Sequence, residues 1–144
     1  VMKKLKEKHQ ARFVYTGSSE DAVLYQEIEK QGPFGGLNLC GVTTVYENIS
    51  LYRAADLFFG VDSGPMHVAA AVGVPVVALF GPTDERKWGP WGEGHRVITK
   101  RLSCAPCKPH KCRDNECMRQ IGVDEALDAV EKKIKQVLPK VFFH

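Results

Sequence analysis

Four residues within a six-residue run, Asp62, Ser63, Gly64 and His67 in Asp62-Ser63-Gly64-Pro65-Met66-His67, are the ones in this chain best suited to chemistry. A carboxylate accepts hydrogen bonds from the vicinal hydroxyls of a sugar. A Ser-Gly turn presents backbone N–H groups to a phosphate, and the missing side chain of Gly64 lets the ligand approach closely. His67 falls in the first turn of the helix that follows, where its ring can donate to the same anion. Each residue also has a plainer role, Asp62 as a cap on that helix and His67 as a structural residue in an alanine-rich segment.

Position favours the ligand. The apolar run Leu57 to Val61 reads as a buried strand, Gly64 to Val72 as a helix, and Val74 to Phe80 as the next buried strand, ending in Gly81-Pro82-Thr83-Asp84. In open α/β sheets ligands bind outside the carboxyl ends of parallel strands, which is where Asp62 and Thr83 fall. Upstream, Ala11 to Thr16 has the alternation of a strand and Gly17-Ser18-Ser19 supplies a turn and cap before a helix through about Lys30. After the break at residues 31–36, Leu37 to Cys40 is a short strand, Gly41-Val42-Thr43-Thr44 a loop, and residues to about Asp56 a helix. Small hydroxyl residues at four strand ends (Gly17-Ser18, Thr43-Thr44, Ser63 and Thr83) are thus expected at one crevice, although turn and cap chemistry explains each alone.

Residues 84–119 read as irregular, with a stiff aromatic loop from Trp88 to Gly94 and a last strand from His95 to Thr99. Val123, Ala126, Leu127, Val130, Ile134 and Val137 then fall at helical spacing, with Pro139 as the stop. The alternation predicts a doubly wound parallel α/β sheet. The chain's 144 residues, 44% hydrophobic and 26% charged, fit one domain with a real core. The opening, Val1-Met2-Lys3-Lys4-Leu5-Lys6-Glu7-Lys8, reads as the last turns of an amphipathic helix and suggests a piece of a longer protein.

Twenty basic against seventeen acidic residues leave a formal charge of +3, without the aromatic-interleaved basic stripe of a nucleic-acid binder. No apolar run reaches the roughly 18 residues that span a bilayer, and the Lys-rich start lacks a secretory core, so a cytoplasmic protein is expected. Cys104, Cys107, Cys112 and Cys117 form a Cys-x2-Cys-x4-Cys-x4-Cys cluster within fourteen residues, apart from Cys40. Four thiols suit tetrahedral zinc, but the second pair departs from knuckle spacing, and iron–sulfur ligation, reduced structural thiols or a disulfide formed on oxidation are the competing readings.

In these residues the chain resembles the carboxyl-terminal domain of glycosyltransferase family 9, the ADP-heptose:lipopolysaccharide heptosyltransferases. The most specific stretches are Ala55-Asp56-Leu57 through Asp62-Ser63-Gly64-Pro65-Met66-His67 to Phe80-Gly81-Pro82-Thr83-Asp84, with Gly41-Val42-Thr43-Thr44-Val45 and Glu47. The cysteine-rich segment before the last helix also resembles the family.

The resemblance implies a GT-B enzyme of two Rossmann-like halves, of which this is the nucleotide-sugar-binding one. It implies that Asp62 meets the sugar hydroxyls, that Ser63 and Gly64 cradle the diphosphate, with Pro65, Met66 and His67 completing the motif, and that Thr43 and Thr44 lie along the adenosine. It implies no metal or other cofactor. The catalytic base and the lipopolysaccharide acceptor site would belong to an amino-terminal half, with work at the inner face of the cytoplasmic membrane, so this piece is expected to bind donor without turnover. Two other readings stay open: a nucleotide-binding or interaction module whose cysteine loop holds zinc, and half of a sugar-nucleotide epimerase. The aromatic tail Val141-Phe142-Phe143-His144 is expected to pack against the other half and to leave an apolar patch in its absence.

Overall fold

Helices and strands alternate along the computed structural model, which describes residues 1–32, 34–107, 112 and 114–137. Pro139 and the aromatic tail 141–144 lie outside the described residues. The chain divides into two units, Val1–Leu51 and Tyr52–His144.

In the first unit, α1 (Met2–His9) ends on Gln10 in the left-handed conformation, and Leu5 is its buried residue. β1 (Val14–Tyr15) and β2 (Leu37–Asn38) pair in parallel, joined through α2 (Asp21–Gln31). Beyond the two-residue ladder, Leu39 N–H donates to Tyr15 O (2.8 Å) and Gly41 N–H to Gly17 O (2.9 Å), so the loops after the two strands run side by side. α3 (Val45–Arg53) follows and runs across the boundary between the units at Leu51.

In the second unit, β3 (Phe58–Val61), α4 (Gly64–Ala71) and β4 (Val76–Phe80) form a parallel βαβ step, with Phe58 opposite Val76 and Val61 opposite Leu79. A four-residue helix, α5 (Glu85–Trp88), then leads to β5 (Arg96–Thr99), which pairs in parallel with β4. The sheet order is β3-β4-β5. A second short helix, α6 (Glu116–Arg119), precedes α7 (Val123–Val137). Both short helices lie in the stretch expected to be irregular; Asp84, which caps α5 through Arg86 N–H, is the signal that marks the first.

β4 is the centre of the core. Val76, Val77, Ala78 and Phe80 are each fully buried, and because consecutive strand residues point to opposite faces, both faces of β4 are covered. α4 packs on β3 and β4, and α7 packs on β4 and β5 through Ala126, Leu127, Ala129 and Val130. Lys100 and Glu125 (2.7 Å) tie the end of β5 to the start of α7.

β3 departs from expectation. The run Leu57 to Val61 reads as buried on both faces, yet Phe59 and Val61 are 38% and 49% exposed while Phe58 and Gly60 differ from them in burial along the strand. The reason is position: β3 is the edge of its three-stranded sheet, and α4 covers one face.

His95 secures the other end of the sheet. Its Nδ1 accepts the N–H of Val76 (3.2 Å), so the ring proton sits on Nε2, which donates to the Trp91 carbonyl (3.0 Å). The histidine thus fastens the aromatic loop to the first residue of the central strand. His95→Ala leaves the buried Val76 N–H without its acceptor, and is expected to lower unfolding free energy by roughly 1–3 kcal/mol, read as a shift of the urea midpoint.

Candidate functional site

The carboxyl ends of β3 and β4 bring Asp62 and Thr83 together. Asp62 continues the ladder, donating its N–H to Leu79 O (3.2 Å), and its half-buried carboxylate accepts the Thr83 hydroxyl at Oδ2 (2.6 Å). The carboxylate is therefore held by the neighbouring strand's turn and is not a cap on α4.

Ser63 is the N-cap residue of α4 but makes no side-chain cap bond; its hydroxyl donates to Val61 O (3.1 Å). A Cβ built at Gly64 would meet nothing within 4 Å. The first turn of α4 thus opens onto free space beside a fixed carboxylate, and the unpaired N–H groups of a helix start attract an anion. Pro65 at the helix start has no N–H to lose. His67 lies exposed in the same helix. Met66 lies in the same first turn with its side chain fully buried in the core, so its backbone alone faces the helix start.

Next to Thr83 lies an open crevice of about 170 Å³, lined by Gly81, Thr83, Arg86, Thr99, Arg101 and Pro106 among others. Its arginines are already matched. Arg86 makes a two-point contact with Asp84 (3.0 and 3.1 Å), which holds the Asp84 carboxyl below the ordinary aspartate range, and Arg101 bonds Glu85. A larger hollow of about 330 Å³, lined by Gly73, Pro75, Trp91 and His95 among others, lies at the amino ends of the strands, away from the motif.

In the first unit the small hydroxyl residues serve their own helices. Ser18 donates both its N–H and its hydroxyl to Asp21 Oδ2 (2.7 and 2.8 Å) in a reciprocal box at the start of α2. A Cβ at Gly17 would fall 2.5 Å from the same carboxylate oxygen, so a larger residue there would displace the Asp21 side chain from the box. Thr44 and Glu47 form the equivalent box on α3, with Thr44 N–H and hydroxyl donating to Glu47 Oε2 (2.7 and 2.8 Å), while Thr43 bonds Asn48 Oδ1 (2.9 Å).

The Thr44 backbone bond first, and its hydroxyl second, hold the Glu47 carboxyl below the ordinary glutamate range. A lowered folded pKa means that the box contributes fully above the unfolded glutamate range and is lost as pH falls through the folded value. Acid titration is therefore expected to release the Thr44 amide before the core unfolds, and Glu47→Gln to abolish that pH-dependent step, as followed by the Thr44 amide resonance.

Cys104, Cys107, Cys112 and Cys117 are all free thiols, as is Cys40. Among the described residues no group of three or more His, Cys, Asp or Glu side chains is arranged to hold a metal ion. Cys107 is held instead by its neighbours: its thiol bonds Cys104 O (3.3 Å), and burial, then the nearby thiols, push its pKa up. Asn115 N–H bonds the Cys112 sulfur (3.3 Å), and Cys117 is buried.

Comparison with known proteins identifies the family and the fold. Residues 1–118 match the model of glycosyltransferase family 9 (heptosyltransferase). The chain is 31% identical over 115 residues to lipooligosaccharide heptosyltransferase 2 of Campylobacter jejuni serotype O:2, covering 78% of this chain and 36% of that protein. It is 33% identical over 126 residues to lipopolysaccharide heptosyltransferase 3 of Escherichia coli K12, covering 85% and 36%. The chain therefore spans about a third of the length of these curated relatives. The solved structure of Escherichia coli ADP-heptose lipopolysaccharide heptosyltransferase II superposes with a TM-score of 0.79 at 25% identity, over 94% of this chain and 40% of that one. A family 9 glycosyltransferase structure from Veillonella parvula, at 22% identity and a TM-score of 0.69, shares the fold over 90% of this chain and 38% of that one. That fold is the Rossmann-like α/β arrangement of one half of a GT-B glycosyltransferase, and the chain belongs to glycosyltransferase family 9, the heptosyltransferase family.

Proposed function

We propose that this chain is the donor-binding half of an inverting glycosyltransferase that moves heptose, or a related sugar, from an ADP-sugar to the inner core of lipopolysaccharide. The observation that carries the reading is the fixed Asp62 carboxylate beside the uncapped first turn of α4, with open space at Gly64. The sugar hydroxyls donate to Asp62, and the diphosphate lies against the N–H groups of the α4 start. His67, exposed in the same helix, donates to a diphosphate oxygen. The two curated relatives are heptosyltransferases of lipooligosaccharide and lipopolysaccharide, and the Escherichia coli structure is that of an ADP-heptose heptosyltransferase, which supports this choice of acceptor and donor.

Transfer with inversion needs a base on the acceptor hydroxyl and stabilisation of the departing diphosphate. The α4 start and His67 serve the second need. The base and the acceptor site are assigned to a further half of the protein, so this chain alone is expected to bind donor and not to turn over. The enzyme meets its lipid-borne acceptor from the cytoplasmic face; among the described residues no helix is long and apolar enough to cross a membrane.

The test is transfer from ADP-heptose to a heptose-deficient inner-core acceptor by the protein carrying both halves, beside this chain alone. Transfer by the former and none by the latter supports the reading. Transfer from UDP-sugars in preference to ADP-heptose contradicts it.

A further inference from the structure

Thr83 stands at the strand end where the sequence places the donor, but its hydroxyl is already engaged. It donates to Asp62 Oδ2 at 2.6 Å, across 21 residues of sequence, a short bond to a charged acceptor. The threonine has one hydroxyl proton, and it is directed at the carboxylate.

The turn that carries Thr83 is anchored from its far side. Cys107 N–H donates to Pro82 O (2.8 Å). Gly81 is buried against the segment bearing Cys117 and Met118, so closely that a Cβ there would fall 2.8 Å from Met118 Cγ and 3.5 Å from Cys117 Sγ. Thr83 is also β-branched, which restricts its χ1. The hydroxyl is therefore presented from a rigid support, and Asp62 is fixed twice: its backbone by Leu79 O and its carboxylate by Thr83.

Resting on the donor-domain reading, we propose that Thr83 is a positioning residue for the donor sugar. By occupying Oδ2 of Asp62, it sets the plane of the carboxylate and leaves Oδ1 to accept the sugar's hydroxyls. This assigns the cysteine-bearing segment a role as well: it holds the Gly81–Thr83 turn, and through Thr83 the orientation of the carboxylate, without itself meeting the ligand.

The role is selective for sugar over nucleotide, and that selectivity is the test. ADP-heptose and ADP are titrated separately into the wild-type chain and into Thr83→Val, Thr83→Ser, Asp62→Ala and the Asp62→Ala, Thr83→Val double variant, with thermal melting as the check on folding. Thr83→Val is expected to weaken ADP-heptose by about three- to tenfold, the worth of one ordinary hydrogen bond, and to leave ADP unchanged. Thr83→Ser, which keeps the hydroxyl, is expected to restore most of the affinity. In the Asp62→Ala background Thr83→Val is expected to have no further effect, because the threonine acts through the carboxylate.

Equal loss for ADP and ADP-heptose, no rescue by serine, or additive losses in the double variant would each overturn the positioning role while leaving the donor-domain reading in place. A folded wild-type chain that binds neither ligand overturns both.

Discussion

Asp62→Ala is expected to weaken binding of an ADP-sugar by about 10- to 100-fold, corresponding to the loss of hydrogen bonds to a charged acceptor worth ~1.5–3 kcal/mol. The fold should survive the change. The backbone of Asp62 is held by its own N–H to Leu79 O, and β3 keeps its register with β4 whatever the side chain. What is lost is the carboxylate that Thr83 holds at the carboxyl end of the strand. Asp62→Asn keeps the shape and one acceptor oxygen but not the charge, and is expected to fall between the wild type and the alanine variant. Calorimetric titration separates the three, and unchanged affinity in the alanine variant would remove Asp62 from the site.

The second large effect falls on stability. Phe80→Ala is expected to cost ~3–5 kcal/mol and Met66→Ala ~2–5 kcal/mol, the range for large-to-small changes in a packed core. Both side chains are fully buried, Phe80 in the central strand one residue before the Gly81 turn, and Met66 in α4 beneath the candidate site. Against a total of about 5–15 kcal/mol for a small domain, either loss takes a large share of the folding free energy. Denaturant unfolding reads the effect directly. A Met66→Leu variant, which conserves volume, should lose far less, and an Ala variant that did the same would mean that Met66 is not in the core.

Much of this fold is legible in the residues because local signals and burial agree. Val74 to Phe80 reads as a buried strand, and Val76 to Phe80 is the strand covered on both faces. The spacing of Val123, Ala126, Leu127 and Val130 reads as one face of a helix, and three of the four are buried in α7. β3 is equally apolar, yet it has an exposed face, since composition does not reveal which strand will sit at an edge. α5 and α6 escape for a different reason: one turn of helix is set by a cap such as Asp84 and leaves no periodicity to detect.

The candidate site divides the same way. The pattern puts Asp62 and Thr83 at the same edge, because that follows from strand order. It does not reveal that they bond each other, that Met66 turns into the core, or that His95 secures the amino end of β4, since these depend on side-chain contacts between distant residues. Ser18 and Thr44 illustrate the converse. Both sit in S/T-x-x-D/E boxes readable in the sequence, Ser18 with Asp21 and Thr44 with Glu47, and those boxes form.

Calorimetric titration of ADP, ADP-heptose and UDP-sugars into the folded chain, beside an Asp62→Ala, His67→Ala double variant, tests the donor-domain claim most directly. Saturable binding that prefers adenine nucleotides, strengthened by the heptose and weakened by the two substitutions, is the expected result. Binding that ignores the base, or that the double variant leaves intact, would contradict it.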